Sequence, residues 1–82
     1  MPYIKKEKRP ALDIIVDNMV KNVIVADGDL NYILFKYAKY HIKPGYNEYK
    51  NFLWELNEAA EEIRRRLLVP YELKKQVENG EV

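Results

Sequence analysis

Apolar residues recur every three or four positions through three separate stretches of this chain. Because an α-helix has 3.6 residues per turn, this spacing places the apolar side chains of each stretch on one face. No stretch shows the sustained alternation of apolar and polar residues that marks a half-buried strand. The spacing therefore predicts an all-α protein whose helices pack by their apolar faces.

Turn-forming residues divide this pattern into helices. We predict three main helices at about 10–25, 30–42 and 47–68, followed by a short C-terminal helix at about 70–78. Pro10 suits the first turn of a helix, where its missing N–H costs nothing. Short connections make sequential helices antiparallel, so the expected architecture is a small bundle in one domain, 1–82, with an extended N-terminal arm at 1–9.

The helix ends are predicted from individual residues. Gly28 is expected to take the positive φ that ends the first helix, and Asp29 to cap the second. Asn47 is expected to cap the third helix. Pro70 is expected to stop or kink that helix, because proline lacks a backbone donor and crowds the preceding turn.

The composition excludes several kinds of chemistry. The chain contains no cysteine, serine or threonine, so the usual side-chain nucleophiles and thiolate metal ligands are absent. His41 is the single histidine, and we expect it to pack or cap near the end of the second helix rather than act in catalysis. Asp27 and Asp29 suit turn formation better than calcium, because the later ligands of a calcium loop are missing. We therefore predict no enzyme activity, no metal and no cofactor.

The formal net charge is +1, so no overall charge draws the chain onto nucleic acid or a membrane. No apolar run approaches the roughly 20 residues of a membrane span, and no signal-peptide pattern opens the sequence. These features predict a cytoplasmic protein without a membrane partner.

Trp54 is the residue that most suggests a partner surface. It lies about 160° around the third helix from Leu56, on the side away from the apolar stripe, with Leu68 near it. Ile14 has a similar position on the first helix. We interpret Trp54, Leu68 and Ile14 as a protein interface, most simply with a second copy in a homodimer or other homo-oligomer. The alternative is that the arm around Tyr3-Ile4, or the C-terminal helix, covers Trp54.

Lysines and tyrosines share the outer face of the second helix. They could contact phosphates and stack on bases, although a solvated lysine face explains them too. The residues are Tyr32, Lys36, Lys39, Tyr40 and Lys43. A helix-turn-helix interpretation is poor, because Asp29 would face phosphates at the start of the second helix.

Several short motifs resemble those of a family of small uncharacterised proteins from prokaryotes and their phages, which carry a domain of unknown function. The resemblance covers nearly the whole chain but implies no activity. It does imply that the two ends belong to the fold. The matching segments are Met1 to Ile4, Gly28 to Tyr32, Arg65-Arg66, Pro70 to Glu72, Lys75 and Asn79 to Val82.

Two function hypotheses follow. The first is a non-enzymatic interaction module that self-associates. The second is a weak nucleic-acid-binding accessory protein that uses the lysines of the second helix and the basic N-terminal arm.

Overall fold

The computed structural model of this protein describes residues 4–80, and the predicted all-α fold class is confirmed. These residues form α1 (Arg9–Lys21), α2 (Gly28–His41), α3 (Tyr46–Ile63) and α4 (Val69–Asn79). They fall into two units, 4–44 and 45–80. The expectation of a single domain over 1–82 stays a prediction.

The N-terminal arm is shorter than the sequence suggested. Lys5 is extended, but Lys6–Lys8 already form a 3₁₀ turn that leads into α1. The Arg9 Nε donates a hydrogen bond to the Ile4 carbonyl oxygen at 3.1 Å, which ties the start of α1 to the segment before it. Pro10 lies in the first turn of α1, as predicted. Met1, Pro2 and Tyr3 lie outside the described residues.

The end of α1 is built around Val23 rather than Gly28. Val23 has φ +52°, in the left-handed region that a β-branched residue rarely adopts. Its N–H bonds to the Val20 carbonyl, and the Ile24 N–H bonds to the Met19 carbonyl, both at 3.1 Å. This pair of bonds is a Schellman motif. The positive φ predicted for Gly28 is therefore wrong, because the chain reverses five residues earlier.

The first turn of α2 also differs from the prediction. Gly28 is the first residue of α2, and Asp27 precedes it without a side-chain capping bond. The Asp29 Oδ2 instead accepts a hydrogen bond from the Val25 N–H at 3.1 Å. Asp29 therefore ties the connection to α2 instead of capping the helix.

Helix α3 begins one residue before the predicted cap. Gly45 occupies the cap position, and its carbonyl oxygen accepts a bond from the Tyr49 N–H at 3.1 Å. Asn47 consequently lies inside the first turn. The prediction that Asn47 caps this helix is wrong.

Pro70 does not end the third helix. A π-helical turn, Arg64–Leu68, carries α3 directly into α4. Within it the Val69 N–H bonds to the Arg64 carbonyl, five residues back instead of four. The wider turn accommodates the proline, which has no N–H to donate and would crowd the carbonyl four residues before it. Helical structure therefore runs without a break from Tyr46 to Asn79. It ends at Gly80, which has φ +66°, the left-handed conformation that glycine adopts without strain.

In residues 4–80 neither unit contains a fully buried side chain. In the 4–44 unit, Met19 and Ile24 of the Schellman motif are half-buried, as are Leu30, Leu34 and Ala38, which share one face of α2. In the 45–80 unit, Leu56 is half-buried, whereas the other residues of the apolar stripe of α3 are exposed; these are Tyr46, Tyr49, Leu53, Ala60 and Ile63. Apolar side chains thus remain in contact with solvent in both units.

Candidate interaction surfaces

Trp54 is exposed over 62% of its surface. It lines a shallow depression on α3 together with Lys50, Asn51, Leu53 and Asn57. Helix α4 continues along the direction of the chain instead of folding back over it. The N-terminal arm was the other segment expected to cover Trp54, and its Tyr3 lies outside the described residues. Trp54 thus remains a candidate contact for a partner.

Leu68 is not among the residues that line the Trp54 depression. In a regular helix the two residues, 14 positions apart, would lie within about 40° of each other. The π-helical turn between them holds one extra residue and so rotates the following chain by about 100°. A phase change of this size would separate Leu68 from Trp54, and a shared interface of these two residues stays a prediction.

Ile14 belongs to the other unit, on α1, and it is exposed. Its neighbours Ile15 and Val16 are exposed as well. Further along the same helix, a depression is lined by Val16, Met19, Val20, Val23 and Ile24. Helix α1 therefore presents an apolar surface wider than the single residue that sequence reasoning selected.

Four of the five residues predicted for nucleic acid lie together on α2. Tyr32, Lys36, Lys39 and Tyr40 line one depression, with Phe35 among them. The Lys36 Nζ lies 3.3 Å from the Tyr32 hydroxyl oxygen and 5.5 Å from the centre of its ring. The Lys39 Nζ lies 5.4 Å from the centre of the Tyr40 ring. Both ammonium groups therefore lie within the range of a cation–π interaction.

Lys43 is not part of this depression. Helix α2 ends at His41, and Ile42 is extended, so Lys43 follows in the connection. His41 itself is exposed, and its ring centre lies 5.7 Å from that of Tyr37. It is therefore a surface residue at the helix end and not a packed one.

The clearest surface that sequence reasoning missed is the stripe of α3, whose residues it assigned to a core. Leu53 is exposed over 58% of its surface, and Ile63 over 56%. A depression at the end of α3 is lined by Ile63, Leu67 and the ion-paired residues Glu62 and Arg66. Leu67, in the π-helical turn, is exposed over 65%. The signal that could have identified this surface is its seven-residue spacing, which is typical of helix pairing.

In residues 4–80, no three histidine or acidic side chains come together as a metal site would require. No helix in this part of the chain has the length and apolar character needed to cross a membrane. The absence of a cofactor stays a prediction from the sequence.

Comparison with known proteins gives one family. Residues 1–82 match the family described as Domain of unknown function (DUF6899). No curated protein and no solved structure matches the chain. Since the match spans the whole length, the chain belongs to the DUF6899 family.

Proposed function

We propose that this protein, of prokaryotic or phage origin, is a non-enzymatic interaction module of the cytoplasm, and that it self-associates. The exposed apolar stripe of α3 is the observation that carries the proposal. An amphipathic helix in water gains most of its stability by packing its apolar face. The 45–80 unit consists of a single uninterrupted run of helix, so it contains no second helix against which that face could pack.

The free energy that would be gained by burying this stripe is large for a chain of this length. Full burial of a leucine or isoleucine side chain contributes about 1.5–3 kcal/mol. Leu53 and Ile63, and Tyr46 at the start of α3, each keep more than half of their surface exposed. Covering the exposed part of these three would contribute about 3–5 kcal/mol per chain. A second copy offers the same surface, and two-fold self-complementary pairing is the most common form of protein association.

The absence of enzyme activity is part of the proposal. The chain has no cysteine, serine or threonine to act as a nucleophile. The four depressions described above are shallow; the one on α1 is lined by apolar side chains alone, and the other three combine apolar side chains with lysine, asparagine or an ion pair. These features favour contact with another protein surface over turnover of a small substrate.

Light scattering and sedimentation from low to high micromolar concentration test self-association. We expect an oligomer whose population rises with concentration. Leu53→Glu should shift the protein to monomer, because it places a charge on the stripe. Gln76→Glu is the matched control, because it adds the same charge on α4, outside both the α3 stripe and the Trp54 depression, and should leave association intact. A wild-type protein that stays monomeric throughout, or an unchanged Leu53→Glu variant, contradicts the proposal.

Trp54 is tested separately, because it lies off the stripe. If Trp54→Ala weakens association while Gln76→Glu does not, the tryptophan surface takes part in assembly. Unchanged association in Trp54→Ala assigns assembly to the stripe and not to Trp54.

The depression on α2 supports a second candidate function, weak binding of single-stranded nucleic acid. Lysines that reach phosphates beside tyrosines that stack on bases form the usual combination at such sites. Two lysine–tyrosine pairs lie together there, whereas Lys50 with Tyr46 and Lys75 with Tyr71 form isolated pairs elsewhere.

Fluorescence polarisation with a labelled single-stranded oligonucleotide tests this function. We expect binding at about 50 mM salt that weakens strongly by about 200 mM, because phosphate contacts release counterions. The Lys36→Glu, Lys39→Glu double variant should lose binding, whereas Lys50→Glu, which changes an isolated pair, should keep it. No binding at low salt would rule this candidate out.

A further inference from the structure

Apolar side chains on α3 follow a seven-residue repeat. Their separations alternate between three and four positions along the whole helix, which is the spacing of the contact line between two paired helices. The residues are Tyr46, Tyr49, Leu53, Leu56, Ala60 and Ile63. The π-helical turn after Ile63 ends this spacing, because it rotates the chain that follows. The repeat therefore covers the 18 residues of α3, about 27 Å.

The sizes of these side chains distinguish two ways of pairing. In a parallel pair each residue faces its own copy, so Ala60 would meet Ala60 and Tyr49 would meet Tyr49. One layer would then contain a void and another would be crowded, and close packing tolerates neither. In an antiparallel pair with full overlap, Tyr49 faces Ala60 and Leu53 faces Leu56. The layers then differ much less in total volume than in the parallel pair, where they range from two alanines to two tyrosines.

We propose that two copies of this protein pair through α3 in antiparallel orientation, with Tyr49 of one copy packed over Ala60 of the other. This inference rests on the proposed self-association and specifies its geometry. Tyr46 of each copy would lie against Ile63 of the other at the two ends of the contact. Both residues are exposed in the single chain, so they are available for that contact.

The charges beside the contact line permit this pairing. Lys50 lies next to the line, and in the antiparallel arrangement it faces Asn57 of the second copy. Arg65 and Arg66 belong to the π-helical turn, beyond the paired stretch, where each forms an ion pair with Glu62 of its own chain. None of these three cations is therefore brought against another cation along the contact.

The area available agrees with a weak but specific dimer. The exposed parts of the α3 stripe amount to roughly 600 Å² per chain, if a whole apolar side chain contributes about 100–200 Å². Two copies would then bury about 1,200 Å², at the lower end of specific interfaces. We expect dissociation in the micromolar range.

Introduced thiols test the orientation, because the chain has no cysteine of its own. We expect an equimolar mixture of Tyr46→Cys and Ile63→Cys to form the mixed disulfide dimer under mild oxidation. Neither variant alone should form one, because like ends lie about 26 Å apart in the antiparallel pair. Disulfides within each separate variant would overturn the antiparallel orientation while leaving self-association intact. If light scattering shows a dimer but neither the mixed disulfide nor the disulfides within each variant form, pairing through α3 is overturned.

A second variant keeps the test independent of thiol chemistry. Ala60→Leu should weaken the antiparallel dimer about tenfold, because the larger side chain meets Tyr49. In a parallel pair the same change would fill the Ala60 layer and tighten the dimer. Leucine is a good helix former, so the helix content of the variant should not fall. A tighter Ala60→Leu dimer overturns the proposal, whereas wild-type protein that is monomeric at every concentration overturns self-association itself.

Discussion

The left-handed backbone of Val23 predicts that one substitution will stabilise the protein by removing a side chain. Val23 has φ +52° at the end of α1. Holding a β-branched residue there costs about 2–3 kcal/mol. Glycine adopts this conformation without strain, but it offsets the gain by about 0.5–1 kcal/mol through its greater freedom in the unfolded chain. Because Val23 is already 75% exposed, lost packing removes only about 0.5 kcal/mol more.

Val23→Gly should therefore raise the free energy of unfolding by about 1 kcal/mol, or the melting temperature by about 4–8 °C for a domain of this size. The measurement is thermal and urea unfolding followed by circular dichroism at 222 nm. It should be made at one fixed protein concentration, because association also changes apparent stability.

Val20 provides the matched control. It is also a valine, it is 72% exposed, and it lies three residues earlier within the regular part of α1. Val20→Gly should lower the free energy of unfolding by about 1 kcal/mol, since glycine is a poor helix former and a similar contact is lost. The two variants differ mainly in backbone conformation, so opposite signs are expected. If Val23→Gly destabilises the protein as much as Val20→Gly does, the strain argument is wrong.

Two further predictions concern the join between α3 and α4. Glu62→Gln removes the ion pairs with Arg65 and Arg66 and should lower the free energy of unfolding by about 0.5–1 kcal/mol at low salt. The loss should shrink at high salt, and a loss independent of salt in urea unfolding would argue against ion pairing. Pro70→Ala restores a backbone N–H. The Val69 N–H should then donate to the carbonyl four residues back instead of that of Arg64, and the free energy of unfolding should rise by about 1 kcal/mol. Hydrogen-bond couplings measured by nuclear magnetic resonance would show the change, and an unaltered acceptor would mean that proline does not cause the π-helical turn.

Part of the candidate surfaces could be predicted from local sequence. The lysines and tyrosines of α2 are three or four residues apart, or adjacent, within one regular helix, so their proximity follows from helix geometry. The expectation that Leu68 lies near Trp54 does not follow from local sequence in the same way. That expectation assumed an unbroken 3.6-residue period across the segment before Pro70, and the extra residue of the π-helical turn changes the phase of the helix there.

The sequence by itself determined that this protein is all-α and approximately where its main helices lie, because periodic apolar spacing and turn residues act over a few neighbouring positions. Only the tertiary structure decided that the left-handed residue is Val23 and not Gly28, and that helix continues past Pro70. Each of these outcomes is a choice among alternative hydrogen-bond partners for the same backbone groups. Such alternatives differ by only a few kcal/mol, so residue preferences alone do not determine which one the folded chain adopts.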